Sequence, residues 1–168
     1  RKAVRVLNKV IDINAYITTK GDRGGRNQRA IGIGVQGLAD TFFLLDHSFD
    51  SPEAKGLNKK IFETIYFAAI AESCKLCEDG VYSPYKYFEG SPMSQGIFQF
   101  DMWNKEGGEE MMTDDDLSGM HDWASLKKKV MEFGVCNSLT TCVMPVASSA
   151  KVTGSFEMTE PAHSALFS

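Results

Sequence analysis

Asn137-Ser138-Leu139-Thr140-Thr141-Cys142-Val143-Met144-Pro145-Val146-Ala147-Ser148-Ser149-Ala150-Lys151-Val152-Thr153 is the stretch on which the reading of this chain turns. Its first half, Ser138 to Met144, is dense in apolar and β-branched side chains, the composition of a buried strand. Pro145 ends such a strand, because it has no N–H to give a ladder. Two adjacent hydroxyls, Ser148 and Ser149, follow where the chain can turn into a helix. A serine there can cap the helix by accepting from an N–H of the first turn. Alternatively, the free N–H groups of that turn and the two hydroxyls hold an anion such as a phosphate. On these residues alone, the plain serine cap is the simpler reading.

The surrounding chain has 168 residues, enough for a single domain with a real core and no internal boundary. It starts Arg1-Lys2-Ala3 without an initiator methionine and stops at Ser168 without a charged tail, so a piece of a longer chain is expected. No apolar run approaches membrane-spanning length, which predicts a soluble protein with no membrane partner. A net charge of −4 argues against nucleic acid as a partner. Four cysteines without a secretory leader point to a reducing, cytoplasmic compartment and not to a disulfide scaffold.

Upstream of the deciding stretch, hydrophobic spacing predicts a helix from Arg1 to about Asn14, with Val4, Leu7 and Ile11 on one face. Thr18 to Arg29 holds three glycines and three arginines and reads as a solvated basic loop. Gly32-x-Gly34-x-x-Gly37 spells a dinucleotide fingerprint, but neither a full apolar strand before it nor a second strand with its acidic end follows the pattern. The glycines are read instead as permitting close backbone packing where a short strand enters a helix. That helix carries Leu38, Phe42 and Leu45 inward and ends near His47.

Ser51-Pro52-Glu53 is a helix start with a serine cap and proline at the first position. Leu57, Ile61, Ile65 and Ala69 form its buried stripe, and Gly80 supplies the left-handed stop. Cys74 and Cys77 on this helix have no second pair at metal-binding spacing, so they are read as two small buried side chains without a metal. Val81 to Trp103 is aromatic and turn-rich, with a short helix at Ser91-Pro92, and walls a core or cleft. Lys105 to Asp122 reads as an acidic exposed loop. Asp122 then caps a helix carrying Leu126, Val130 and Phe133, stopped by Gly134. The order helix, strand, helix, helix, helix, strand, helix predicts an α/β fold with parallel strands, too few of them to close a sheet.

Several of these stretches together resemble one family: Leu7 to Asn14, Ile31 to Asp40, Asn58 to Tyr66, Glu89-Gly90-Ser91-Pro92, Phe100 to Asn104, and Asn137-Ser138-Leu139 with Met144-Pro145. The family is the large, catalytic subunit of class I ribonucleotide reductases, in its eukaryotic and large-virus form. The resemblance runs from Arg1 to about Pro161, and the Gly32 to Asp40 run is its most specific part. It implies that residues 1–168 are part of a ten-stranded α/β barrel, placed after a finger loop that carries a radical cysteine. It implies the radical reduction of ribonucleoside diphosphates to deoxyribonucleoside diphosphates for DNA replication.

The implied partners are the diphosphate substrate, a metal-containing small subunit that supplies the radical, a second large subunit, and thioredoxin or glutaredoxin as reductant. ATP and deoxynucleotide effectors of this allosteric enzyme would bind elsewhere in the full chain, and this segment holds no cofactor. None of Cys74, Cys77, Cys136 or Cys142 falls in a matching catalytic motif, so no catalytic residue is expected here and the segment alone is not competent. What carries over is the family's Pro-Thr-Ala-Ser-Thr phosphate loop, which stands here as Pro145-Val146-Ala147-Ser148-Ser149. The resemblance thus favours phosphate binding by Val146, Ala147, Ser148 and Ser149, with one donor lost at Val146. The chain also departs from the family at Ala30, in the longer acidic loop, and after Thr153. These changes leave room for an altered substrate preference or a divergent copy of reduced activity. The rivals are a degenerate, non-catalytic interaction protein and a different phosphate-binding α/β enzyme that shares the cradle only, and the long matches outside the cradle weigh against the second.

Overall fold

The computed structural model describes residues 1–103, 117–157 and 159–161. Seven α-helices occur among them: α1 (Lys2–Ile13), α2 (Thr19–Gln28), α3 (Leu38–Leu44), α4 (Pro52–Glu78), α5 (Gln99–Trp103), α6 (Trp123–Phe133) and α7 (Ala147–Thr153). A 3-10 turn, Pro92–Gln95, precedes α5.

The spine is α4, about 40 Å long at a rise of about 1.5 Å per residue. Its start follows from sequence, since Ser51 Oγ accepts from the Ala54 N–H at 3.1 Å and proline opens the first turn. Gly80, at φ 69°, takes the left-handed stop. Apolar side chains leave α4 on two sides. One side meets α6 and the aromatic segment: Ile70, Cys74, Phe88, Phe98, Trp123, Leu126, Val130 and Val135 form a single core. The other meets α1 and the deciding stretch through Ala69, Leu76, Val4, Ile31 and Cys136. A third, smaller cluster seats α3 on the start of α4 through Leu38, Phe42 and Ala54, with Leu57 and Ile61 packed at its edge.

Most helix expectations hold, and three local ones do not. Thr18 to Arg29 is a helix, not a loop. Thr18 caps it by accepting from the Gly21 N–H at 3.1 Å, Arg26 pairs with Asp22 at 2.6 Å, and Arg29 closes it in the left-handed conformation. A Cβ on Gly25 would overlap the Tyr16 ring, so glycine there is what lets Tyr16 lie across the helix. Leu45 is 49% exposed, because α3 ends at Leu44 and the chain reverses before Leu45 can turn inward. The acidic-loop expectation lies partly outside the described residues, at 104–116.

The third correction concerns the deciding stretch. Ser138 to Met144 is extended, but it is not a buried strand. It pairs with one neighbour only among the described residues, the segment around Ile31 and Ile33, through an isolated parallel bridge between Ile33 and Thr141. The bonds are Ile31 N–H to Leu139 C=O and Ile33 N–H to Thr140 C=O, each 3.0 Å, and Cys142 N–H to Ile33 C=O at 3.1 Å. Leu139 is 65% and Val143 61% exposed, since nothing described covers the faces a parallel strand normally buries. The α/β expectation is therefore not met among the described residues, which show helices and this single bridge. The glycines permit the close backbone packing expected of them in place of a dinucleotide site. A Cβ on Gly34 would stand 2.6 Å from the Cys142 carbonyl oxygen, and one on Gly32 3.0 Å from the Cys142 Cβ.

Candidate functional site

The bridge delivers the chain to Pro145 and then to α7. Helix α7 begins two residues earlier than a cap at Ser148 requires. Val146 occupies the cap position, with no side-chain hydrogen bond, and Ala147 is the first helical residue. The serine-cap expectation is therefore overturned. Ser148 and Ser149 are the second and third helical residues, and both are exposed. The first intrahelical bond runs from the Ala150 N–H to the Val146 C=O at 2.8 Å. The N–H groups of Ala147, Ser148 and Ser149 thus precede any acceptor within the helix. These donors and the two hydroxyls sit at one end of α7, which is the arrangement an anion cradle uses.

The far end of α7 is tied down. Gly154 stops the helix at φ 68°, and the Ser155 N–H bonds back to the Ala150 C=O at 3.0 Å. The Gly37 N–H reaches the Phe156 C=O at 2.9 Å, and the Phe156 N–H reaches Asp40 Oδ2 at 2.7 Å. Gln36 Nε2 donates to Thr153 Oγ1 at 2.8 Å. The glycine run before α3 therefore supports both ends of the stretch, by close approach at Gly34 and by these bonds at Gln36 to Asp40. A cleft of about 490 Å³ opens on this side, between Asp40, Lys151 and Phe156. Neither serine lines it.

Behind the bridge lies a polar network that the sequence reading missed. Asn137 and Asn8 are both buried and bond reciprocally, each Nδ2 to the other's Oδ1 at 3.0 Å. Asn137 Nδ2 also donates to the Arg29 C=O at 2.7 Å, and Ser73 Oγ donates to Asn137 Oδ1 at 2.9 Å. Arg29 Nε reaches Asn8 Oδ1 at 3.0 Å, and its Nη1 pairs with Asp12 at 2.8 Å. The guanidinium lies 4.1 Å from the Tyr82 ring centre, and Tyr82 donates to Asp12 at 2.5 Å. Burial works against the Asp12 charge, but the bonds from Tyr82 and Arg29 outweigh it and hold the carboxyl below its ordinary range. One signal was available: Asn8 sits inside the apolar stripe formed by Val4, Leu7 and Ile11, where a polar side chain needs a partner.

The four cysteines are free thiols. Burial, with help from Glu78, pushes the Cys74 thiol up to about 11. Among the described residues, no three His, Cys, Asp or Glu side chains gather as a metal site. No described helix is long and apolar enough to cross a membrane.

Comparison with known proteins assigns this fold segment to a class. Residues 1–168 match the family described as ribonucleotide reductase, barrel domain, and the chain belongs to that family. It is 48% identical over 158 residues to the ribonucleoside-diphosphate reductase large subunit of Danio rerio, covering 94% of this chain and 18% of that protein. Against the large subunit of Caenorhabditis elegans, identity is 46% over 164 residues, 98% of this chain and 19% of the relative. The corresponding protein of Acanthamoeba polyphaga mimivirus is 46% identical over 161 residues, 96% of this chain and 17% of the relative. The chain thus spans less than a fifth of the length of these relatives.

Proposed function

We propose that this chain forms part of the catalytic barrel of a ribonucleoside-diphosphate reductase large subunit and supplies the loop that holds the substrate's diphosphate. The whole protein would replace the ribose 2′-hydroxyl by hydrogen in a radical reaction. Residues outside this segment would carry the radical cysteine. A metal-containing small subunit would generate the radical, a second large subunit would complete the dimer, and thioredoxin or glutaredoxin would return the electrons. ATP and deoxynucleotide effectors would act elsewhere in the chain. The Ile33–Thr141 bridge would be one pairing of a ten-stranded α/β barrel.

One observation carries the loop assignment: Pro145 to Ser149 leaves the bridge and starts α7 with the backbone donors of Ala147, Ser148 and Ser149 and two exposed hydroxyls at one point. The role of each is simple. The N–H groups and the hydroxyls donate to phosphate oxygens, and Val146 fixes the turn with its backbone alone. None of these groups takes part in bond breaking, so they bind and orient.

The test uses Ser148→Ala and Ser149→Ala, made singly in the intact protein. A hydrogen bond to a charged group is worth about 1.5–3 kcal/mol. Each substitution is therefore expected to weaken diphosphate binding about ten- to a hundredfold. The loss appears in KM, and kcat is spared where the contact is equal in ground and transition states. Because neither serine caps α7, melting temperature is expected to stay near wild type. Unchanged affinity in both variants would remove the loop assignment. Val146 supports the alternative of a divergent, non-catalytic relative, since it lacks the family's hydroxyl there. Absence of turnover in the intact protein, with normal folding, would favour that alternative.

A further inference from the structure

Helix α7 has seven residues, and a helix so short does not hold its shape in water unaided. Only Ala150 of the seven is buried, so packing alone gives α7 little support. Upstream, the bridge ends with the Cys142 N–H on the Ile33 C=O. What fixes α7 lies at its other end, where its last residue, Thr153, is a junction of hydrogen bonds. Thr153 Oγ1 accepts from Gln36 Nε2 at 2.8 Å. The hydroxyl keeps its own proton, which it can donate back along the helix to the Ser149 C=O at 3.1 Å or the Ala150 C=O at 3.2 Å. Gln36 is half-buried and stands on firm ground, because the residues after it grip the chain just past α7. The Gly37 N–H donates to the Phe156 C=O, and the Phe156 N–H donates to Asp40 Oδ2.

We infer that Gln36, acting through the Thr153 hydroxyl, is a positioning residue for the diphosphate loop. The inference rests on the loop reading given above. Two hydrogen bonds in series lead from the Gln36 amide through one hydroxyl to the backbone of Ser149, the residue whose N–H and Oγ that reading assigns to phosphate. Neither Gln36 nor Thr153 touches phosphate in this scheme. A loop already held in its binding shape avoids the entropy cost of being ordered by its ligand. Released from Gln36, the short helix frays, and the ordering cost falls on substrate binding. Bond breaking takes place elsewhere, so turnover of bound substrate is untouched.

The experiment uses the intact protein. Gln36→Ala removes the donor, Thr153→Val removes the hydroxyl but keeps the branched shape, and Thr153→Ser keeps the hydroxyl. Gln36→Ala and Thr153→Val are each expected to weaken binding of a ribonucleoside diphosphate about two- to tenfold, the range for one neutral hydrogen bond. Calorimetric titration and KM both read this, and kcat should not change. Thr153→Ser should stay near wild type. The double variant Gln36→Ala/Thr153→Val should be no weaker than the weaker single one, because both changes cut the same link. Hydrogen exchange of amides 150–153, followed without substrate, should quicken in Gln36→Ala and Thr153→Val. That measurement reads the tether apart from phosphate.

Unchanged exchange in both variants would overturn the inference. So would unchanged affinity in Gln36→Ala while Ser148→Ala and Ser149→Ala weaken binding, a pattern that leaves the loop reading standing. A fall in kcat, or fully additive losses in the double variant, would mean general damage and would also overturn it. Quickened exchange in Gln36→Ala with unchanged affinity in both serine variants would remove the loop reading, and this inference with it.

Discussion

Asn137 joins three parts of the chain at one side chain: α1 through Asn8, α4 through Ser73 and the end of α2 through the Arg29 carbonyl. Replacing it with alanine leaves these buried groups without a partner, at about 1–3 kcal/mol for each one left unsatisfied. Asn137→Ala is therefore expected to lower the urea midpoint of the intact protein sharply, and an unchanged midpoint would contradict the network's role. Tyr82 and Asp12 add a pH signature. The folded-state Asp12 value lies below the ordinary 3.8, so the stability it contributes is complete above 3.8 and is lost as pH falls through the lower folded value. Tyr82→Phe removes one of the bonds responsible. The stability gap between wild type and Tyr82→Phe should be widest near neutral pH and shrink in acid; a gap constant with pH would contradict the coupling. At this scale the sequence exposed the hydroxyls of Ser148 and Ser149 but not their place in the helix. That place depends on where the backbone starts to turn, and a two-residue shift changes a cap into an exposed donor.

Helices with explicit punctuation were readable. Ser51-Pro52 opens α4, Asp122 caps α6 by accepting from the Ser125 N–H at 2.9 Å, and Ser91 caps the 3-10 turn. The second helix was not readable, because it buries no residue and has no apolar stripe to give it away. It is held by the Thr18 cap, by the Asp22–Arg26 pair and by its left-handed end at Arg29. Gly24 tests this account, since a Cβ there meets nothing within 4 Å and the site is exposed. If α2 is a true helix, Gly24→Ala stabilises it by about 0.5–1 kcal/mol; in a loop with no preferred dihedrals the change would give no gain. Gly34 tests the bridge. Gly34→Ala drives a Cβ against the Cys142 backbone, and forced overpacking of this kind typically costs about 1–3 kcal/mol. Equal stability of wild type and Gly34→Ala by thermal unfolding would mean the two segments are not held as closely as described.

Across the whole molecule, the apolar surface is laid out for more contacts than these residues provide. Helix α1 buries Val4 and packs Leu7 and Ile11, yet Val6, Val10 and Ile13, on the flank of the same apolar face, are exposed. An apolar stripe this wide is ordinarily covered along its whole width. Phe43, Leu44 and Leu45 at the end of α3, and Leu139 and Val143 beside the bridge, are likewise exposed. The extended segment around Thr141 offers a strand edge with one neighbour, which invites pairing with other chains. The ten-stranded barrel was an expectation from family motifs alone, because the described residues hold one bridge and the relatives they match are more than five times as long as this chain. Residues 1–168 expressed alone are therefore expected to self-associate, to bind an apolar dye such as ANS, and to show no turnover of a ribonucleoside diphosphate. The intact protein should bind far less dye per residue, because the same side chains are covered. Light scattering after size exclusion and dye fluorescence read both outcomes on matched samples. A monodisperse, dye-free monomer of 1–168 would mean that these apolar faces are tolerated in water and need no cover.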